Sequence, residues 1–324
     1  MDKEEIKKPV TDFIPYVEKV VKKLKEDKKF PAVHTYTATK NSFAKYSEEK
    51  GGAMTVSEIY TCGRLKEYEG WLRQRKAKWN TVSTYMRTLK ALYNRMLEDK
   101  LVEYVPGLFD DVYTKVESQT KRSLTDTQEN TLMKADAEAL PENMQRILAY
   151  CLLMFYFRGM AFIDLAHLRK QDLKDGAIIY CRHKTKRQIK VRIPKEAMEL
   201  LEKYRNKNAK STYLFPILSE EIEDDYELYR YYQRALGKFN RKLVLLSGLL
   251  LGGVKISSYT PRHTWATLAF YRGTAIGIIS KALGHSSIKV TETYLRPFED
   301  EKVDMENDKL IQSLMQDDGK RDVA

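Results

Sequence analysis

The sequence predicts a mainly α-helical protein of two domains with one small β-hairpin. Three observations predict it. Apolar residues recur at helical spacing along most of the 324 residues, a length with room for two domains. A turn-rich segment, VPGLFDD, and the polar stretch that follows it interrupt this pattern about a third of the way along. Two short runs with β-branched residues, separated by the basic turn HKTKR, lie between helical segments and form a hairpin signature.

The elements follow in order. Residues 12–26 place Phe13, Tyr16, Val17, Val20, Val21 and Leu24 on one helical face. Further helical patterns run over 34–49, 56–77 and 80–99, the last with a stripe of Val82, Tyr85, Met86, Leu89, Leu92, Tyr93 and Met96 and an Asn80-Thr81 start. These make a helical first domain, 1–115, followed by a linker at 116–123 and a second domain, 124–324. Thr125 to Gln128 forms a capping box that opens the second domain. Helices are expected at 125–135, 142–157 and 161–170, and strands at Ala177–Arg182 and Gln188–Ile193. Helices resume at 195–206, 226–246, 260–272, 274–283 and 287–295. A final amphipathic helix over 300–316 carries Val303, Met305, Leu310, Ile311, Leu314 and Met315. Its apolar face either packs at home or docks into another protomer.

Composition excludes several classes. Lys and Arg number 57 against 45 Asp and Glu, a formal net charge of +12, which favours a polyanionic partner. The asymmetry is local. Seven basic and no acidic residues lie between Glu69 and Glu98, seven more between Asp175 and Glu196, and ten between Glu227 and Glu292. Phosphates repel carboxylates, so a surface facing DNA has this pattern. Three cysteines without CxxC spacing argue against a disulfide framework and a cysteine-rich metal site. The charged start, MDKEEIKK, has no signal-peptide pattern, and the longest apolar stretch, Leu243 to Val254, is too short and too glycine-broken to span a bilayer. The expected location is the cytoplasm, at the nucleoid.

Three segments carry the chemistry: the hairpin turn Arg182-His-Lys-Thr185, the run TPRHTWATLAFYRG (260–273), and SKALGHSSIKVTETYLR (280–296). Arg-His-Thr-x-Ala-Thr, then Leu-Gly-His, then a tyrosine nine residues past that histidine, resembles the tyrosine recombinase (phage integrase) family. The resemblance covers most of the second domain, and the first looks like that family's helical core-binding domain. It implies a two-domain recombinase whose Tyr294 attacks a DNA phosphorus, forming a 3′-phosphotyrosyl link that retains the bond energy, so that neither metal nor nucleotide cofactor is needed. Arg262 would hold the non-bridging oxygens of the transition state, His285 would donate to a phosphate oxygen, and Lys184 would protonate the leaving 5′-oxygen, with Lys186 as its competitor.

Two departures from the family pattern stand out. Where a histidine precedes the arginine of this motif by three residues, the chain has Tyr259, still a donor but a poorer proton acceptor. Where an arginine is expected after Gly159, the chain has Ala161. Arg158, three residues earlier, would reach the same phosphate from one turn away if the helix extended that far. Its competing reading is a pair with Asp164 or a passive DNA contact. His263 is expected to face the core.

In the first domain, Arg73, Arg75, Lys76, Lys78, Arg87 and Lys90 interleave with Trp71, Trp79, Tyr85 and Tyr93, the pattern of a clamp on DNA phosphates. Asn80, Thr81, Ser83 and Thr84 are candidates to read bases. Lys186, Arg187, Arg241 and Lys242 extend the DNA-binding set into the second domain. The implied partner is double-stranded DNA, bound by a homotetramer on paired sites, with room for an accessory DNA-bending protein. The outcome, whether integration, excision or inversion, stays open. Two other readings remain at this point: a type IB topoisomerase-like relaxing enzyme, and a DNA-binding protein that lost catalysis with Ala161 and Tyr259.

Overall fold

A computed structural model describes residues 12–117, 123–295 and 300–318, and its contacts divide the chain into two units, Met1–Gln119 and Thr120–Ala324. The first is built from α1 (Phe13–Glu26), α2 (Phe30–Glu49), α3 (Val56–Ile59), α4 (Cys62–Gln74) and α5 (Trp79–Glu98). The apolar stripe of α1 is buried at Phe13, Tyr16, Val17, Val20 and Leu24. An aromatic core gathers behind it, with Phe43 edge-on to Phe13 and Tyr68 at ring separations of 5.1 and 5.0 Å. The helix expected over 56–77 is two. Tyr60 ends α3, and the Thr61 hydroxyl accepts the Arg64 N–H at 3.2 Å to start α4 afresh. The start of α5 also differs from expectation: Lys78 precedes it, and the Asn80 side chain holds both backbone groups of Glu117 instead of capping.

The second unit begins with α6 (Asp126–Met133), entered through the Thr125–Gln128 capping box. Next, α7 (Glu142–Tyr156) is buried along Ile147–Met154 and packs against the elements here designated α9, α10 and α11 (Lys195–Tyr204, Asp225–Leu250 and Thr260–Tyr271). Between them lie α8 (Phe162–His167) and an antiparallel sheet of β1 (Leu173–Lys174), β2 (Ala177–Cys181) and β3 (Gln188–Arg192), in that order. Ile179 pairs with Lys190, and Ile189 and Val191 face inward while Gln188, Lys190 and Arg192 face out. The two-residue β1 is too short to leave a sequence pattern. Helix α10 outruns its expected length, with Asp224 capping its start and Ser247 and Gly248 lying inside its last turn. The chain ends with α12 (Ile276–Leu283), α13 (Ile288–Glu292) and α14 (Asp300–Asp318). All six apolar residues that mark the face of α14 are exposed. The linker expected at 116–123 lies mostly outside the described residues. Among the described residues no helix is long and apolar enough to cross a membrane.

Candidate active site

The three segments singled out in the sequence converge at the start of α11, the sheet's hairpin and the turn before α13. Arg262, on the first turn of α11, is 2% exposed. Its Nη1 donates to the carbonyl of Gly159 at 2.8 Å and its Nη2 to that of Leu283 at 2.6 Å. Two glycines make room for this. Gly159 has φ 68°, and a Cβ there would stand 2.9 Å from the Arg262 Cα. Gly284, with φ 63°, would bring a Cβ within 2.7 Å of Ile189 and 3.3 Å of the Arg182 side chain. Only glycine takes both the left-handed backbone and the close approach without strain.

His285 is buried beside Arg262, its Nε2 3.0 Å from the arginine's Nη2 and its Nδ1 2.8 Å from Thr291 Oγ1. A guanidinium can only donate, so Nε2 is the accepting nitrogen. Burial first, then the charges of Arg262, Arg182 and Lys184, push the imidazole down to about 3, which keeps it neutral with its proton on Nδ1. In this arrangement Nε2 therefore accepts; donation from it to a phosphate, as the sequence reading assigned, needs the other tautomer.

Tyr294 completes the group. It is half-buried, with the Arg262 Cζ 5.5 Å from its ring centroid and the His285 ring 4.9 Å away. The phenol of Tyr294 helps hold the charge of Arg262 against burial and the charge of Arg182, which push its pKa down. His263 does not face the core as expected. Its ring lies 4.7 Å from that of Tyr294. With Thr267 it faces the Tyr294 carbonyl oxygen, at 3.4 and 3.5 Å respectively. The tyrosine is thus docked into the site of its own chain.

The other assigned residues sort by position. Lys184 sits exposed on the hairpin tip, and its charge acts on His285, whereas that of Lys186 acts on His183. Tyr259, the residue before α11, is 54% exposed, its ring 6.5 Å from that of His263. Arg158 lies past the end of α7, at φ 59°, and donates to the carbonyl of Lys190 at 3.4 Å. Ala161 precedes α8 in extended backbone. The helix does not reach Arg158, so the shared helix face assumed for Arg158 and Ala161 does not exist.

A different arginine stands in the site. Arg182, at the base of the hairpin, is 5% exposed and donates from Nη1 to the Gly284 carbonyl at 2.8 Å. Its Nε lies 4.0 Å from Asp164, which is itself buried and accepts the backbone N–H of His183 at 2.7 Å. Burial raises Asp164, while the His183 hydrogen bond and the Arg182 charge pull it down. The Nε atoms of both Arg182 and Arg262 are buried without a hydrogen-bond partner, unspent donors at the centre of the cluster. Sequence reading placed Arg182 in a basic run and in the hairpin turn but gave it no role of its own. The signal available was the guanidinium missing at Ala161, which a buried arginine beside Lys184 could replace.

The residues assigned to DNA binding occupy surfaces of their own units. In the first unit, Arg73, Arg75, Lys76, Lys78, Arg87 and Lys90 are exposed, with Arg73 over Trp79 at 4.2 Å and Arg75 over Trp71 at 4.3 Å. Of the candidate base readers, Ser83 is buried, Asn80 is spent on Glu117, and the Thr84 hydroxyl donates to the Asn80 carbonyl. In the second unit, Lys186 and Arg241 are exposed and Lys242 is half-exposed, while exposed Arg187 reaches the carbonyl of His285.

Comparison with known proteins shows the family. The phage integrase family profile matches residues 122–301, and the phage integrase SAM-like domain profile matches 12–107. Tyrosine recombinase XerC of Thermodesulfovibrio yellowstonii is 27% identical over 81% of this chain and 85% of its own length. Tyrosine recombinase XerA of Pyrococcus furiosus is 24% identical over 78% and 87%. A tyrosine recombinase of Pseudothermotoga lettingae is 28% identical over 53% of this chain and 60% of its own length. The Tn1549 transposon integrase, solved with transposon right end DNA, superposes with a TM-score of 0.64 at 15% identity over 91% of this chain and 99% of that one. A lambda integrase tetramer bound to a Holliday junction gives 0.61 at 16%, over 90% and 80%.

Proposed function

The chain belongs to the phage integrase family and breaks and rejoins DNA at specific sites; from that premise we propose that Tyr294 is the nucleophile, acting within its own chain's site. The phenolic oxygen forms a bond to phosphorus as the P–O5′ bond breaks, and the phenolic proton passes to solvent. The 5′-oxygen takes a proton from Lys184, the hairpin lysine whose charge acts on His285. Arg262 and Arg182 carry the charge that builds on the non-bridging oxygens, Arg182 taking the part of the arginine absent at Ala161. Arg158, bonded to Lys190, is left to contact DNA. His285 orients Arg262, Asp164 seats the hairpin, and Tyr259 offers a phenol donor at the rim. Rejoining reverses the step, with a 5′-hydroxyl attacking the phosphotyrosyl link.

The exposed cations of α4 and α5, with Lys186, Arg187, Arg241 and Lys242, bind duplex phosphates. Exchange needs two duplexes, and a homotetramer on paired sites meets that need. The uncovered apolar face of α14 supports its docking into a neighbouring copy. The enzyme works in the cytoplasm, at the nucleoid.

One observation carries the reading: a half-buried phenol stands against a buried guanidinium, with a second cation beside it. Its test is a duplex nicked beside the scissile phosphate, which traps the covalent complex. The wild-type chain gives a protein–DNA adduct and Tyr294→Phe gives none. An adduct formed by Tyr294→Phe overturns the assignment.

A further inference from the structure

We infer that Thr291 is a positioning residue that fixes the tautomer of His285 and, through it, the orientation of the Arg262 guanidinium. The inference rests on the assignment of Tyr294, Arg262 and His285 to the reaction. It starts from three buried side chains joined in a row. Thr291 is fully buried, its Oγ1 lies 2.8 Å from His285 Nδ1, and His285 Nε2 lies 3.0 Å from Arg262 Nη2. Only one proton placement satisfies this row. The guanidinium has nothing but donors, so the ring must present a lone pair at Nε2 and carry its proton on Nδ1. Thr291 is the acceptor that makes this tautomer the stable one.

Without that oxygen, the Nδ1 proton is buried with nowhere to go. The ring then gains by moving its proton to Nε2, which turns an N–H towards the N–H groups of Arg262. The guanidinium answers by leaving the carbonyls of Gly159 and Leu283 and its place against Tyr294. The hydroxyl acts on the reacting groups at one remove, as partners of catalytic histidines commonly do.

The position of Thr291 adds a second consequence. It lies on α13, and its carbonyl accepts the Tyr294 backbone N–H at 2.9 Å. The residue that sets the histidine's tautomer therefore belongs to the same turn that delivers the nucleophile. Displacing that turn removes the phenol and releases the histidine in one movement, so the guanidinium is fully aligned only while the tyrosine is docked.

The experiment uses the full chain and the nicked duplex. Thr291→Val keeps the shape and removes the acceptor; we expect single-turnover cleavage to fall about 10- to 100-fold, with duplex affinity within about twofold of wild type. Thr291→Ser restores the rate. In a His285→Ala background, Thr291→Val adds less than about twofold. Selective 15N-histidine labelling reads the tautomer directly, with the His285 signal among the five histidines identified by its loss in His285→Ala. Wild type shows a protonated Nδ1 and a bare Nε2, and Thr291→Val shifts protonation towards Nε2. Wild-type protein with its proton on Nε2 overturns the inference even if Thr291→Val does not fold. So does a Thr291→Val variant that cleaves at the wild-type rate, or one that loses as much activity without His285 as with it. An adduct from Tyr294→Phe would instead sink the underlying assignment and leave the tautomer measurement standing.

Discussion

Arg182 gives the sharpest test of how the site compensates for Ala161. Arg182→Met removes the charge and the donors but keeps a long apolar stem against Gly284. The structural cost has two parts. The Gly284 carbonyl loses a 2.8 Å donor, and buried Asp164 loses its neighbouring cation. Removing one partner of a well-made buried pair costs about 3–5 kcal/mol. Here the Arg182 Nε stands 4.0 Å from Asp164, which keeps the His183 N–H at 2.7 Å, so the loss is smaller, about 1–3 kcal/mol. The catalytic cost is larger. A preorganised donor to transition-state charge is worth about 100- to 1000-fold in rate, and Arg182→Met should cut single-turnover adduct formation by at least about 100-fold. Duplex affinity should barely move. Arg182→Lys returns the charge without the bidentate fork and should recover stability more than rate. The loss also registers on His285, because Arg182 is one of the cations that, after burial, hold that imidazole at about 3. Its value must rise in the Met variant, which histidine NMR detects. Arg182→Met protein that is folded at the assay temperature and forms adduct within threefold of wild type refutes the assignment.

Three further outcomes follow from the same structure. The folded His285 value of about 3 lies below the ordinary 6.5, so the unfolded chain takes up the proton first. Its contribution is complete above about pH 6.5 and declines by up to about 1.4 kcal/mol per pH unit as pH falls towards 3; His167 and His183, also lowered by burial, act in the same direction, so His285→Asn should flatten the acid limb of a denaturation series without abolishing it. Glu129 is buried and raised to about 7 by desolvation, so it destabilises the fold as pH rises from about 4.5 through 7; Glu129→Gln should add about 1–3 kcal/mol at pH 8 and nothing at pH 4 in chemical denaturation, and equal effects at both would refute the buried acid. Deleting residues 300–324 should abolish pairing of two duplexes in a gel assay and leave single-site adduct intact, and synapsis by the shortened chain would refute docking of α14 into a neighbour.

The sequence made the helices legible wherever apolar spacing sets one face, as in α1 and α5, and the hairpin wherever β-branched runs flank a turn. It missed the break between α3 and α4 because the apolar pattern runs on through Tyr60, while the break depends on a single hydroxyl, that of Thr61. The motif spacing brought Arg262, His285 and Tyr294 to notice, and the fold packs all three together. Arg158 was a different matter. Its appeal rested on a helix continuing past Tyr156, and helix ends are set by local turns that periodicity does not record. Arg182 was hidden for a related reason. Burial of an arginine is a tertiary property, and in a chain with long acid-free stretches one more basic residue carries no local mark.

What surrounds those arginines explains how a positively charged pocket can fold without cancelling itself. Arginines buried in proteins usually meet carboxylates, and such pairs fix geometry by neutralising charge. Here the partners are neutral acceptors: the carbonyls of Gly159 and Leu283 and the ring nitrogen of His285 for Arg262, and the carbonyl of Gly284 for Arg182. A carbonyl orients a guanidinium through its dipole but leaves the full unit of charge in place. The carboxylate of Asp164 stands 4.0 Å from Arg182 and turns one oxygen to the hairpin backbone instead. The consequence is visible in Arg262 and His285, both pushed down first by burial and then by neighbouring cations. The arrangement is electrostatically unfavourable until an anion enters, and a phosphodiester gaining charge as it passes to five coordination is the anion that relieves it most. The turns that present these carbonyls depend on Gly159 and Gly284 at positive φ, so the charge on the pocket is set as much by two residues without side chains as by the arginines themselves.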